Sequence, residues 1–125
     1  MSENSIVKLT IAFRDPELDS EEREVQAQQF FVELDQMDEI EAVHRVLDPN
    51  PPDGNKSLGG VIVGLLTAEI SVDNTKRVMG FLGDRLIGKP IELEVEADGK
   101  KLSVKAYSRE ELELAIKEAK NFVAV

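Results

Sequence analysis

The 125-residue sequence predicts an α+β fold, a two-layer sandwich in the order β-α-β-α-α-β-β-α with a four-stranded mixed sheet and helices packed on it. Three observations predict it. Ile6 to Phe13 alternates, with Val7, Leu9, Ile11 and Phe13 on one face and Lys8 and Thr10 on the other, and alternation of period two marks a half-buried strand. Ile91 to Ala106 holds two alternating runs around Asp98-Gly99, the strongest local hairpin signal. Two stretches, opening at Asp19 and Ser108, place a glutamate three residues after a capping oxygen and follow it with an apolar stripe at helical spacing. A chain of this length carries one core, so residues 1–125 are read as a single domain.

In chain order, Arg14-Asp15-Pro16 ends the first strand because proline removes a donor. The helix from Asp19 carries Ala27, Phe30, Phe31 and Leu34 at i, i+3, i+4 and i+7, and Glu21, Glu22 and Glu24 suit the positive end of its dipole. Ile40 to Leu47 reads as a second strand with apolar residues on both faces, which suits a central position, and strand–helix–strand of this length favours a parallel crossover. Asp48 to Asn55, with three prolines, reads as a stiff exposed loop. Ser57 to about Ile70 is read as a helix, although Val61-Ile62-Val63 suits a buried strand equally well by periodicity. Ser71 to Asp73 reads as a turn and new N-cap for a helix that buries Val78, Met79, Leu82 and Leu86 and closes at Gly88, with Pro90 beyond.

A two-residue turn at Asp98-Gly99 pairs Val95 with Leu102 and Leu93 with Val104 on one face, and Glu96 with Lys101 and Glu92 with Lys105 on the other. Opposite charges then meet across the strands while the apolar face stays intact, and a one-residue slip breaks both patterns. The final helix carries Leu112, Ala115, Ile116, Ala119, Phe122 and Val123 as its stripe.

The formal charge is −10 and it is uneven: residues 1–50 hold 13 acidic and 4 basic side chains, and residues 51–125 hold 12 and 11. An acidic first half repels phosphate backbones, so no nucleic-acid partner is expected. The longest apolar run, Gly59 to Ala68, is about half the roughly twenty residues a membrane span requires. With no basic, apolar leader at the N-terminus, a soluble cytoplasmic protein without a membrane partner is expected.

No catalytic motif emerges from the residues, and neither a catalytic residue, a cofactor nor a metal is expected. There is no cysteine, and His44 is the single histidine, placed mid-strand, which reads as structural or superficial. Asn55-Lys56-Ser57 lacks the glycines of a phosphate-binding loop, with Asn55 and Asn50 in their places. Asp48, Asn50, Asp53 and Gly54 miss calcium-loop spacing by one, with Gly59 where a bidentate glutamate belongs. Gly60, Gly64 and Ala68 lie four apart, and on a helix they form a small-residue face that either packs inside or contacts a second copy or partner.

From Asp15 onward the order of features resembles the effector-associated constant component family of bacterial conflict systems. The residues carrying the resemblance are Asp15-Pro16, the loop Pro49-Asn50-Pro51-Pro52, the stretch Leu58-Gly59-Gly60 to Leu66, Phe81-Leu82, and the charged hairpin from Ile91 to Val104 followed by the Glu110-containing helix. Where family members often carry tryptophan-leucine and a basic cluster, this chain has Phe81-Leu82-Gly83-Asp84-Arg85. The resemblance implies a small non-enzymatic adaptor that couples a signal to an effector, such as a trypsin-like or caspase-like peptidase or an NTP-dependent regulator, by protein–protein contact. A homo-oligomer built on Gly60, Gly64 and Ala68, and a ligand-binding or enzymatic domain with a pocket beside the Pro49–Gly59 loop, are the competing expectations.

Overall fold

The computed structural model describes residues 5–49 and 60–123. Its elements are β1 (Ile6–Phe13), α1 (Ser20–Asp35), β2 (Ile40–Leu47), β3 (Val61–Ser71), a 3-10 turn (Val72–Asn74), α2 (Thr75–Arg85), β4 (Ile91–Ala97), β5 (Lys100–Ala106) and α3 (Arg109–Val123). The α+β class holds, and two features of the expected architecture are corrected. Residues 61–71 form a strand rather than a helix, and the sheet has five antiparallel neighbours in the order β2-β3-β1-β4-β5 rather than four in a mixed arrangement.

The extra strand changes the crossover. β1 and β2 run parallel, but β3 lies between them, and β1 lies in turn between β3 and β4. Two β-α-β units therefore interleave, which is the split βαβ arrangement of ferredoxin-like domains, extended by β5 and α3. β2 consequently sits at an edge instead of the centre. Its two apolar faces have another cause: a register shift between Ile40 and Ala42 lets both Ile40 and Val43 pack against the helix-side core, whereas Leu47 is 70% exposed at the strand end.

One face of the sheet carries the core. Val7, Leu9, Ile11 and Phe13 of β1 meet Ile70, Ala68 and Leu66 of β3 and Val95, Leu93 and Ile91 of β4 in register, and all are buried. The three helices cover this face with Ala27, Phe30 and Leu34, with Val78, Met79 and Leu82, and with Leu112, Ala115, Ile116 and Ala119. Phe30 joins two layers, edge-on to Phe13 at 6.1 Å and stacked on Phe81 at 5.9 Å.

Local rules set most element ends. Asp19 accepts from Glu22 N–H at 2.8 Å while the Glu22 carboxylate accepts from Asp19 N–H at 3.0 Å, the reciprocal box expected at α1. At α3 Ser108 Oγ accepts from Glu111 N–H at 3.1 Å, but Glu111 reaches one residue further back, to Tyr107 N–H at 2.7 Å. α2 begins after the 3-10 turn without a side-chain cap. The hairpin turns at Asp98 (φ 53°) and Gly99 (φ 76°), two consecutive left-handed residues as a type I′ turn requires, and every predicted pair across it is present.

Gly64 is the exception inside β3. It has φ +72°, and a Cβ added at this position would stand 3.2 Å from the Phe13 carbonyl oxygen. Around it the ladder slips: two steps along β2, Arg45 to Leu47, match five along β3, Leu66 to Val61. The slip turns the Gly64 amide out of the ladder, and it donates to Glu24 Oε1 of α1 at 3.1 Å. Glu24 in turn accepts both guanidinium ends of Arg45, at 2.7 and 2.6 Å, while Arg45 Nε donates to the Leu65 carbonyl at 3.0 Å. Both side chains are largely buried, 17% and 11% exposed.

Two outcomes follow from this region. Gly64→Ala should lower unfolding stability by about 2 kcal/mol, because a left-handed L-residue costs roughly 1–2 kcal/mol before the contact with Phe13 is counted; a urea midpoint equal to wild type would reject the bulge geometry. For Glu24, burial raises the pKa, but the hydrogen bonds from Arg45 and Gly64 and the Arg45 charge more than offset it, so the carboxyl lies below its ordinary 4.5. A depressed folded pKa gives stability that is present above 4.5 and lost as pH falls through the lower folded value. Glu24→Gln should therefore flatten the pH dependence of the denaturation midpoint below 4.5 and cost on the order of 3 kcal/mol at neutral pH by stranding Arg45; parallel pH curves for the two proteins would contradict it.

Candidate functional site

The helices occupy one side of the sheet, so among the described residues the other side is a bare surface built by strand alternation. Its rows read across the strands. Glu69, Lys8, Glu96 and Lys101 form one row of alternating charge from β3 to β5; Thr67, Thr10, Glu94 and Ser103 form the next; Leu65, Ala12, Glu92 and Lys105 the third. Thr67 and Ala12 are already buried by their neighbours, and Thr10 and Thr67 hydroxyls lie 3.5 Å apart.

At the β4–β5 end this face deepens into a concavity of about 250 Å³ that Arg14, Leu65, Glu92 and Lys105 help to line. Glu92 is held from two sides: Tyr107 Oη donates to Oε2 at 2.8 Å and Arg14 Nε lies 3.7 Å from Oε1. The carboxylate beside it pushes the Tyr107 phenol above its ordinary value of 10.0, chiefly through that hydrogen bond. Lys101 Nζ contacts Glu94 at 3.5 Å, diagonally rather than directly across the hairpin, and His44 Nε2 lies 3.4 Å from Glu69. His44, 55% exposed in its side chain, is a surface histidine at the edge of this face.

The second surface lies around the β5 edge, on the helix side. A groove of about 350 Å³ runs between β5 and α3, floored by Val104 and Ala115 and flanked by Tyr107 and Leu114. Tyr107 and Leu114 are 47% and 56% exposed. Lys105 forms one rim and Glu111 and Glu118 the other, so the groove is apolar inside and polar outside. In a two-residue hairpin the pair flanking the turn is hydrogen-bonded, and hydrogen-bonded and open pairs alternate from there. Leu102 and Val104 thus bond to β4, and the main-chain groups of Lys101, Ser103 and Lys105 face the outer edge beside the groove, where none of the described strands adds to the sheet.

The predicted interaction face is not assembled. Gly60, Gly64 and Ala68 share no helix: Gly60 stands ahead of β3 with φ +78°, Gly64 is the bulge beneath α1, and Ala68 is fully buried in the core. Their spacing of four serves a strand interrupted by a bulge. The pocket expected beside Pro49–Gly59, the phosphate-loop comparison at Asn55 to Ser57 and most of the calcium-loop comparison fall outside the described residues. Among the described residues no three His, Asp or Glu side chains converge as metal ligands would, and no helix is long and apolar enough to cross a membrane. Sequence reading missed the Tyr107–Leu114 groove because both residues lie off the stripes that mark the core; the signal available was one large apolar residue, Leu114, on the charged side of α3.

By topology and surface the described residues form a ferredoxin-like α+β domain with an open sheet face and a groove-flanked outer edge. Comparisons with family models, curated proteins and solved structures found no match to this chain.

Tyr107 is the single tyrosine, which makes its environment directly readable. Spectrophotometric titration should place its midpoint above 10.0, and Glu92→Gln should bring it back toward that value. A raised phenol pKa means that this contact stabilises the fold below 10.0 and is lost as pH rises through the higher folded value. Equal midpoints in the two proteins would show that the Tyr107–Glu92 contact does not persist in solution.

Proposed function

We propose that this chain is a small non-catalytic adaptor that works by protein–protein contact, and that the β5–α3 groove is where it holds its effector. The observation that carries the reading is the pairing of exposed Tyr107 and Leu114 with the outer strand edge of the described sheet. Exposed aromatic and aliphatic residues around a pocket are the usual anchors of binding energy, and an open edge lets an extended segment add as a further strand. A segment lying along β5 would bond to the main chain of Lys101, Ser103 and Lys105. Its alternate side chains would drop into the groove or lie over the lysines, so apolar residues alternating with acidic ones fit best.

The resemblance of the charged hairpin and the Asp15-Pro16 start to effector-associated constant components supplies the class of partner: a peptidase of trypsin-like or caspase-like type, or an NTP-dependent regulator, in a cytoplasmic bacterial conflict system. The edge also explains the lysines. Lys100, Lys101 and Lys105 discourage the edges of other copies from adding indiscriminately, while leaving the strand open to an acidic segment.

The test is binding of the purified chain to the effectors encoded beside its gene, with Leu114→Glu as the groove variant and Gln29→Lys on α1 as the control. Loss of a central apolar anchor should weaken binding at least about tenfold, or 1.4 kcal/mol, and the control should bind as wild type. Failure of every neighbouring effector to bind, or binding indifferent to Leu114→Glu, overturns the reading.

A further inference from the structure

The open sheet face carries a charge order that is complementary to itself. From β3 to β5 the first row reads Glu69, Lys8, Glu96, Lys101, or minus, plus, minus, plus. Reversing that order turns each sign into its opposite. Two copies related by a two-fold axis that runs along the strands, midway between β1 and β4, would oppose the row with its own reverse. Lys8 would then face the second copy's Glu96, and Glu69 its Lys101. The same operation sets Thr10 against Glu94 and Thr67 against Ser103, donors opposite acceptors, and lays the Lys105 stem over Leu65. No like charges meet. An axis through β1 itself would oppose Lys8 with Lys8 and Glu69 with Glu96, so the charges disfavour that register.

We infer that the chain forms a two-fold symmetric dimer through this open face, with Lys8–Glu96 and Glu69–Lys101 pairs across the interface. Closed two-fold contacts use one self-complementary patch on both subunits, which is the property these rows have. Thr67 and Ala12 are already sheltered, whereas Thr10 and the Glu94 carboxylate stand nearest the axis and are desolvated together on contact. Four strands about 4.8 Å apart and six residues at about 3.4 Å give a footprint of roughly 400 Å² per copy. That is half of the about 800 Å² per partner of a standard stable interface, so the dimer is weak, concentration-dependent and sensitive to salt. The groove between β5 and α3 opens on the opposite side of the sheet, but Lys101 and Lys105 serve both contacts, so an acidic segment along β5 and a second copy draw on the same two lysines.

Sedimentation of the full chain at low salt, from about 10 μM to about 0.5 mM, should show a mass rising from 13.9 kDa toward twice that value. Lys8→Glu alone and Glu96→Lys alone each place like charges across the axis and should stay at the single-chain mass. An equimolar mixture of the two restores both pairs between unlike copies and should recover the double mass, a rescue that no change within one chain can mimic. Circular dichroism checks folding; if Lys8→Glu unfolds, Lys101→Glu mixed with Glu69→Lys reads the same geometry. A wild type that stays at 13.9 kDa at the highest concentration, single variants that dimerise like wild type, or a mixture without recovery each overturn the inference.

Discussion

The Glu24 carboxylate is the point on which the architecture turns. β3 has to enter between β1 and β2, directly beneath α1, at a point where the Phe13 carbonyl of β1 would stand 3.2 Å from any Cβ while Arg23 of α1 would lie at ordinary contact distance. Gly64 meets that demand at a left-handed φ that other residues adopt at a cost, and the resulting bulge leaves an amide without a ladder partner. A buried unpaired amide costs about 1–3 kcal/mol, and Glu24 removes the cost by accepting it. The carboxylate is then itself buried, which Arg45 from β2 compensates with two charge-assisted bonds. One glycine, one acid and one arginine thus tie α1, β2 and β3 together, and each is needed because of the other two.

That interdependence explains what could be read from the residues and what could not. The hairpin is fully specified locally: turn chemistry, alternation and charge pairing all demand one register, and the structure has it. The Asp19 box and the stripes of α1 and α3 are likewise set within a few residues. β3 is not. Its bulge spaces Gly60, Gly64 and Ala68 like a helix face, while the partners that make it a strand, Ala12 and Arg45 among them, lie far away in sequence. The alternation of Leu66, Ala68 and Ile70 inward with Thr67 and Glu69 outward is present beyond the bulge, but the apolar run before it obscures the period. The edge position of β2 depends on the same missed insertion.

The candidate surfaces show a similar division. The row of Glu92, Glu94 and Glu96 is visible as a charged strand face, but its partners Lys8, Thr10 and Ala12 come from a strand some eighty residues earlier, with Arg14 just beyond that strand's end. Tyr107 follows β5 and is unremarkable in sequence; it matters because the sheet brings its hydroxyl to Glu92 and its ring to the rim of the groove. Surfaces made of residues remote in sequence become readable only when strand order is known.

Strand order also relates the two proposed contacts to one another. With the axis between β1 and β4, β5 of one copy lies over β3 of the other, so the two β5 edges stand on opposite flanks of the pair. Each groove opens on the helix side, away from the shared face, although Lys101 and Lys105 on its outer strand are used by both contacts. A dimer of this kind would present two effector sites facing outward. An effector with two suitable segments, or two effectors that must meet, would then bind through linked events at raised effective concentration. Because the footprint between copies is small, dimerisation would respond to local concentration in the range where such linkage has most influence. A weak interface and a shallow groove, each insufficient alone, together suit an adaptor that assembles only when its partners gather.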